Sequence, residues 1–491
     1  MSAYQAAGDR MSALDAAFLY LERSGQLLHV AGIYTVEGRL DFEQLMRDLD
    51  ARLHLIPRYT QRVVPVPLSL AHPTWEPDPA FDIHHHVLSH TLKPPGDDAQ
   101  LAKLAARIFA QPLTRARPLW EVHLIDGYRG DRSALVCKVH HCMIDGVSGV
   151  QILNVMFDPS PKPAPVPRPE VVLEAPPLPS SSTRLIRGAR HTVMGGLHTA
   201  RAVANLLRKP RRALAEIGAA TDAVMELGRI VLGPKPSTPF NGHVGVLRNL
   251  TWTGFSLNQV KAIKNRLGGT VNDVILATIT AALRAYLVGH GHRPDRMELR
   301  AMVPVNVRSP NEHLKLGNRV SMMMAPLPIG ILDPVERLHQ VRTAMALLKE
   351  SGQAGRMNRM IELIDVLPPT LQRVVAQLQM AAAPINTICT NVPGPPVSIY
   401  VQGKRLGTLV PLVPLAQGVG LAFAILSYAD TLTIGITADA ALVPDCDRFA
   451  ELLQSGLEEL RLVAGVEHPE PRGSVRPERQ RRIQAVPSQV A

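Results

Sequence analysis

The stretch that decides the fold runs from Val139 to Gly149 and reads VHHCMIDGVSG. It closes an apolar run, SALVCKVHH from Ser133, whose residues suit a half-buried β-strand. Asp145-Gly146 is typical of a turn, and VSGVQILNVMF after it has helical periodicity. The order strand, turn, helix places His141 near a strand end, where sheets open onto clefts.

A histidine in this position can act as a general base, because its ordinary pKa of about 6.5 lets it accept a proton at neutral pH. His140 would support it. Asp145 has two possible roles: it holds the imidazole in one tautomer, or it braces the loop through an arginine. We favour the second role, because Asp before Gly146 is good turn chemistry.

Three other interpretations of the histidine pair remain open. Adjacent residues of a strand face opposite sides, so His140 and His141 cannot bind one metal ion without distortion, and no third ligand is near in sequence. Ser148 lies in no GxSxG elbow, and Cys142 is typical of a small buried hydrophobic residue rather than a nucleophile. A purely structural pair is the third interpretation. We expect no bound metal.

Composition limits the classes of protein. The chain has 491 residues with a net charge of +11, 46% hydrophobic residues and 4% aromatic residues. The charge predicts anionic partners, but scarce aromatics argue against stacking on nucleobases, and we expect no nucleic-acid binding. The four cysteines form no CxxC pair and no secretory signal is evident, which favours reduced thiols in a cytoplasm.

The chain is too long for one ordinary core, which predicts two domains. We expect an α/β (α+β) fold with an N-terminal domain at 1–158, a proline-rich linker and basic helical connector at 159–237, a C-terminal domain at 238–466 and a disordered basic tail at 467–491. The apolar stretch from Pro411, PLVPLAQGVGLAFAILSYA, is interrupted by prolines and a glutamine. We therefore expect no transmembrane helix.

The segment from Arg184 to Arg212 is strongly basic, with eight Lys and Arg and no Asp or Glu. It is interpreted as a surface connector helix, as a helix lying on an anionic membrane, or as a nucleic-acid contact. The last is the least favoured.

A set of motifs appears together along the chain. They are HHCMIDG at 140–146, PLWE at 118–121, GGTVNDVILA at 268–277, LGNRVS at 316–321 and TNVPGPP at 390–396. HHxxxDG resembles the motif of the coenzyme A-dependent acyltransferase superfamily. In their order and spacing the motifs resemble the bacterial wax ester synthase/diacylglycerol acyltransferase family, from Met11 to about Gly465.

The resemblance implies two chloramphenicol-acetyltransferase-like domains, each a mixed sheet flanked by helices, with a tunnel between them. It implies transfer of a long-chain acyl group from acyl-coenzyme A, as co-substrate without other cofactor, to diacylglycerol or a long-chain alcohol, with His141 as the base. Another hydroxylated lipid or polyketide as acceptor, or a non-catalytic lipid-binding protein, is the alternative. We expect a cytoplasmic enzyme attached peripherally to the inner membrane or lipid droplets; the oligomeric state stays unknown.

The remaining site candidates belong to the other motifs. Asn272 is a candidate donor to the alcohol or the developing oxyanion, but Asn272-Asp273 also suits a helix N-terminus. Asn391 is a candidate channel residue.

Trp120, with Pro118 and Leu119, is predicted to pack beside the channel. Asn318 and Arg319 are predicted to brace the domain interface, with Arg319 as a partner for Asp145. The triplet His84-His85-His86 resembles a metal tract but is interpreted as a solvated loop.

Overall fold

The structure is a computed structural model. It describes residues 9–23, 25–144, 146–162, 166, 175–190, 237–306, 320–350 and 369–467. Most of the expected linker and connector, and the tail from residue 468, lie outside the described residues.

The described strands lie in three sheets. In chain order they are β1 (Asp9–Arg10), β2 (His29–Val36), β3 (Gln61–Val64), β4 (Thr74–Pro77), β5 (Val87–Thr91), β6 (Trp120–Tyr128), β7 (Arg132–His140), β8 (Arg248–Ser256), β9 (Leu299–Asn306), β10 (Val320–Leu327), β11 (Thr387–Pro393), β12 (Tyr400–Val401), β13 (Lys404–Leu412), β14 (Leu421–Tyr428) and β15 (Thr431–Asp439).

The described helices flank these sheets. They are α1 (Ala13–Leu21), α2 (Phe42–Asp50), α3 (Asp98–Phe109), α4 (Gly146–Met156), α5 (181–190), α6 (Leu257–Leu267), α7 (Val271–Gly289), α8 (Pro334–Glu350), α9 (Pro369–Ala382) and α10 (Arg448–Val463).

Each half of the molecule is built on a six-stranded mixed sheet. The first has the order β12-β13-β2-β7-β6-β5 and the second β10-β9-β11-β14-β15-β8. β5 pairs in parallel with β6, and β11 pairs in parallel with both β9 and β14, while the other pairs in these sheets are antiparallel. β1, β4 and β3 form a smaller third sheet. The expected fold class, mixed sheets flanked by helices, is confirmed.

The sheets do not follow the expected domain boundaries strictly. β12 and β13 come from the expected C-terminal domain, yet β13 pairs with β2, with Leu412 opposite Ala31 and Leu409 opposite Tyr34. Strand periodicity predicts which face of β13 is buried but not which sheet it joins. The two halves are therefore linked by shared sheet pairing.

Local sequence signals explain the helices around the site. Ser12 caps α1 by accepting a hydrogen bond from the Asp15 backbone N–H, as its sequence predicts. The glycines at 268 and 269 have φ of +84° and +92°, which separates α6 from α7. α7 then begins at a Thr270 cap.

One helix in the described part of the chain, α7, is long and apolar enough to cross a membrane by length and composition. Of its most apolar window, 72% is buried inside the protein, in the core shared with α8 and α10. A core helix passes the same test. The apolar stretch weighed from the sequence instead forms the end of β13 and all of β14.

Candidate active site

His141 lies directly after β7, at the strand end where the sequence predicts it, and begins a turn at residues 141–143. Its backbone N–H donates to the carbonyl oxygen of Leu28, 2.9 Å away. Its imidazole stacks on the Phe18 ring of α1, with ring centroids 4.1 Å apart and planes 6° from parallel. The ring is partly exposed and lines a cavity between the two halves, so it is positioned rigidly while remaining accessible to a ligand.

His140, the last residue of β7, is buried, and its imidazole contacts the His29 ring edge-on. Its Nδ1 accepts a hydrogen bond from the backbone N–H of Cys142 at 3.1 Å. Its backbone N–H donates to the carbonyl oxygen of Leu119 at 2.9 Å. His140 therefore shapes the turn that presents His141, and its supporting role in catalysis stays a prediction.

Behind this turn lies a partly buried carboxylate that sequence reasoning missed. Oε1 of Glu22 is 3.3 Å from Nε2 of His140 and 3.4 Å from Nε2 of His29, while Arg115 donates to Oε2 at 2.8 Å. Burial opposes ionisation of Glu22, but His140, His29 and Arg115 outweigh it and hold its pKa well below the usual range. Burial lowers the pKa of His29, which keeps that imidazole neutral.

These three side chains, Glu22, His29 and His140, are also grouped closely enough to hold a metal ion. The hydrogen bond from Cys142 argues against that use. Since Nδ1 of His140 accepts it, neutral His140 carries its hydrogen on Nε2, the atom that would bind the metal. The donor set therefore fits an electrostatic cluster better, and the absence of a metal stays a prediction.

A signal for Glu22 was present in the sequence. It is the C-cap of α1, where the helix dipole disfavours a negative charge. A carboxylate at a helix C-terminus therefore needs favourable contacts from other elements to offset this unfavourable interaction.

The cavity beside His141 has a volume of about 170 Å³. Both halves line it: Trp120, Val139 and Leu153 from the N-terminal half, and Thr390, Val392 and Ile425 from the C-terminal half. Its walls are mostly apolar. Such a site can hold an aliphatic chain next to the imidazole and exclude water.

Trp120 begins β6, and its indole N–H donates to the carbonyl oxygen of Tyr59 at 2.7 Å. It is buried and lines the cavity, and Leu119 beside it is a core residue. The Pro118 carbonyl oxygen accepts the Trp120 backbone N–H. The PLW segment thus lies beside the cavity and also pairs with the backbone of His140, through Leu119.

Of the two roles weighed for Asn272-Asp273, the helix cap falls on Asp273, and the contact of Asn272 with the alcohol or oxyanion stays a prediction. The Asp273 side chain accepts from the Thr270 backbone N–H at 2.8 Å, and the Thr270 hydroxyl accepts from the Asp273 N–H, which is a capping box. Asp273 is therefore a structural cap. Asn272 instead accepts a hydrogen bond from Nδ2 of Asn391 at 3.2 Å, which joins two of the site candidates across α7 and β11.

Several candidates cannot be placed. Asp145, Asn318 and Arg319 lie outside the described residues, as does the expected pair of Asp145 with Arg319. Gly146 is the first residue of α4.

The interpretation of His84-His85-His86 as a solvated loop is wrong for one residue. His84 and His85 are exposed and lie beside Asp82, but His86 is buried and stacks on Trp120 with centroids 4.5 Å apart.

Two other buried side chains in the segment around His141 have structural surroundings. Cys142 is buried, and burial raises the pKa of its thiol well above the usual value, which disfavours the thiolate that a nucleophile needs. Lys138 is buried in an ion pair with Glu121 at 2.8 Å and also donates to the carbonyl oxygens of Ile108 and Gln111.

Comparison with known proteins shows the family. The family model for the wax ester synthase/diacylglycerol acyltransferase catalytic domain matches residues 11–275, and that for the C-terminal domain of the same family matches residues 316–461. A Mycobacterium tuberculosis protein named a probable diacylglycerol O-acyltransferase is 32% identical over 458 residues, covering 92% of this chain and 96% of that protein.

Solved structures agree on the fold. The wax ester synthase/diacylglycerol acyltransferase from Marinobacter aquaeolei VT8 matches with a TM-score of 0.65 and 25% identity, covering 93% of this chain and all of that one. The first condensation domain of the CDA synthetase shares the fold at a TM-score of 0.58, 16% identity and coverage of 94% and 97%. The chain is an acyltransferase and belongs to the wax ester synthase/diacylglycerol acyltransferase family.

Proposed function

We propose that this enzyme transfers a long-chain acyl group from acyl-coenzyme A to diacylglycerol, forming triacylglycerol, with a long-chain alcohol as a second acceptor that gives a wax ester. The observation that carries the proposal is the His141 imidazole, held against Phe18 at the end of β7 and lining an apolar cavity between the two halves. The names of the relatives support diacylglycerol as the acceptor.

In the proposed mechanism His141 acts as the general base. An alcohol is a weak nucleophile at neutral pH, and His141 takes the hydroxyl proton as the oxygen attacks the thioester carbonyl. The tetrahedral intermediate collapses with cleavage of the carbon–sulfur bond, and the proton passes from His141 to the departing thiolate. The products are an ester and free coenzyme A, with no net proton released.

The chain itself forms no covalent intermediate in this proposal. Cys142 is the thiol next to His141 in sequence, but it is buried in the core and its pKa is raised by that burial. Direct attack by the acceptor is therefore favoured over an acyl-enzyme.

The test measures release of free coenzyme A from palmitoyl-coenzyme A with diacylglycerol, hexadecanol or no acceptor. We expect acceptor-dependent release by the wild type and a loss of about 10²- to 10⁴-fold in His141→Ala. Cys142→Ala is the matched control and should keep most of the activity. Equal loss in both variants would instead favour an acyl-enzyme.

A wild type that is inactive with both acceptors would disprove these substrates. Another hydroxylated lipid or polyketide would then be the next acceptor to test. If no alcohol stimulates release, a lipid-binding role in the same fold replaces the proposal.

We also propose that the basic segment Arg184–Arg212 attaches the enzyme peripherally to an anionic lipid surface on the cytoplasmic side. Its charge supports this role; residues 191–236 lie outside the described residues. Deleting Arg184–Arg212 should weaken sedimentation with anionic vesicles and leave binding to neutral vesicles unchanged. Undiminished binding to anionic vesicles would contradict the proposal.

A further inference from the structure

Tyr34 lies flat on its own strand. A Cβ built on Gly32 would stand only 2.2 Å from the Tyr34 hydroxyl oxygen and 2.5 Å from a ring carbon. The aromatic ring therefore occupies the space above Gly32, which any larger side chain at residue 32 would fill. A glycine inside a strand often marks such a close approach.

This unit of Gly32 and Tyr34 forms part of the cavity wall. Both residues line the cavity that contains His141. On the same face of the sheet Gly32 stands opposite Cys137 of β7 and Pro411 of β13. Because Gly32 has no side chain, this row of three residues leaves a groove on the sheet surface. The Tyr34 ring fills that groove.

The position along the strand defines where the groove is closed. The His141 backbone pairs with Leu28, and Gly32 follows four residues later, about 13 Å further along at the rise of a β-strand. The Tyr34 ring is held there by an edge-on contact with Phe157, with centroids 6.3 Å apart. Tyr34 is 8% exposed, so it closes the groove from inside the protein.

The volume indicates that this closure has a consequence for the substrate. The cavity of about 170 Å³ is smaller than the roughly 300 Å³ at the lower end of small-molecule sites. The Tyr34 ring occupies the space over Gly32 that an aliphatic chain following the sheet from His141 would otherwise enter.

We propose that Tyr34, seated on Gly32, is the stop that limits the length of the aliphatic chain this cavity accepts. The inference rests on the proposed acyl transfer for its kinetic readout. The aliphatic chain held against Tyr34 belongs either to the acyl donor or to the alcohol, since each has a linear hydrocarbon chain next to the same base. The stop acts through the ring and not through the hydroxyl.

The first experiment measures kcat/KM with two substrate series: acyl-coenzyme A of 8 to 18 carbons with one fixed acceptor, and alcohols of 8 to 18 carbons with one fixed donor. Tyr34→Ala should shift the preference in one series towards longer chains, by about tenfold in the long-to-short ratio. The series that shifts identifies the chain held against Tyr34. Gly32→Val, which displaces the ring, should also change the preference in that series.

Two controls separate the stop from general damage. Tyr34→Phe keeps the ring and should keep the wild-type preference. Ile33→Ala removes a fully buried side chain from the opposite face of the same strand, in a different core cluster, and should lower stability without changing the preference. An unchanged preference in Tyr34→Ala, or an equal shift in Ile33→Ala or Tyr34→Phe, overturns the inference.

A second readout does not need turnover. Binding of fatty acids and fatty alcohols of the same lengths is measured by displacement of a fluorescent fatty acid from wild type, Tyr34→Ala and Tyr34→Phe. Long chains should gain affinity over short ones only in Tyr34→Ala. If the wild type proves inactive in transfer, the proposed function fails while this measurement still decides the role of Tyr34; equal chain-length profiles in all three proteins overturn it.

Discussion

Two ion pairs, one from each half of the molecule, bury charge in different ways. In the N-terminal half the Glu22 side chain, 14% exposed, is enclosed with two imidazoles behind the end of β7. In the C-terminal half the buried Arg337 guanidinium reaches outward to Glu459, whose side chain is 50% exposed. Enclosing a carboxylate costs desolvation that a surface acid avoids. The N-terminal half carries this desolvation cost close to His141, where the positions of the side chains determine the chemistry.

Two hydroxyls inside the C-terminal core are satisfied locally. The hydroxyls of Thr278 and Thr280 donate to carbonyl oxygens one turn earlier in α7. No element outside α7 is needed for these bonds. The N-terminal cluster instead joins Glu22, His29 and His140 from separate elements, so it reports on how those elements are assembled.

Replacing the enclosed carboxylate is expected to give the larger effect. Glu22→Gln should lower the free energy of unfolding by about 2 kcal/mol at pH 7, because it removes the charge that Arg115 and the imidazoles face. Transfer activity should fall as well, since His140 shapes the turn that holds His141. The matched control is Glu459→Gln, expected to cost less than about 1 kcal/mol with activity unchanged. Urea unfolding measures the stability of the two variants, and coenzyme A release measures their activity.

The pH dependence sharpens this prediction. The pKa of Glu22 is depressed in the folded protein, so its stabilising contribution is complete above the ordinary carboxyl pKa of about 4.3 and is lost as pH falls below it. The stability gap between wild type and Glu22→Gln should stay constant from pH 7 to 5 and narrow below about 4.3. A gap that stays wide at pH 3 contradicts an ionised Glu22.

A smaller effect is expected at the start of α7. Asp273→Ala removes the capping box and should lower stability by about 1 kcal/mol, with activity retained at temperatures where the protein is folded. The neighbouring Asn272→Ala is the matched comparison. It should lower activity more than stability if its contact with Asn391 belongs to the site. Equal loss of activity in both variants would assign a purely structural role to the pair.

Local features of the fold followed from local sequence. The strand–turn–helix around His141, the Ser12 cap and the end of α6 at its glycines all depend on residues near one another in the chain. Burial of Cys142 was also predicted. The family and its mixed sheets were recognised because several motifs appear along the chain in the order typical of the family.

Features that depend on distant residues were missed. Nothing in the sequence connects Glu22 or His29 with His140, because a charge cluster assembled from separate elements has no period. His86 was interpreted as part of a solvated triplet, although its ring stacks on the Trp120 ring. β13 was assigned by its place in the chain, whereas its pairing with β2 is a long-range choice that alternation of apolar residues leaves open.

The pairing of β13 with β2 also affects how the chain is made. At roughly 5 to 20 residues per second, a ribosome needs on the order of 20 to 75 seconds after β2 emerges before β13 follows. During that time the β2 edge is an open template for wrong pairing with other chains. Nascent enzyme is therefore most vulnerable to aggregation in this interval, and a gene split after residue 237 would make the exposure permanent.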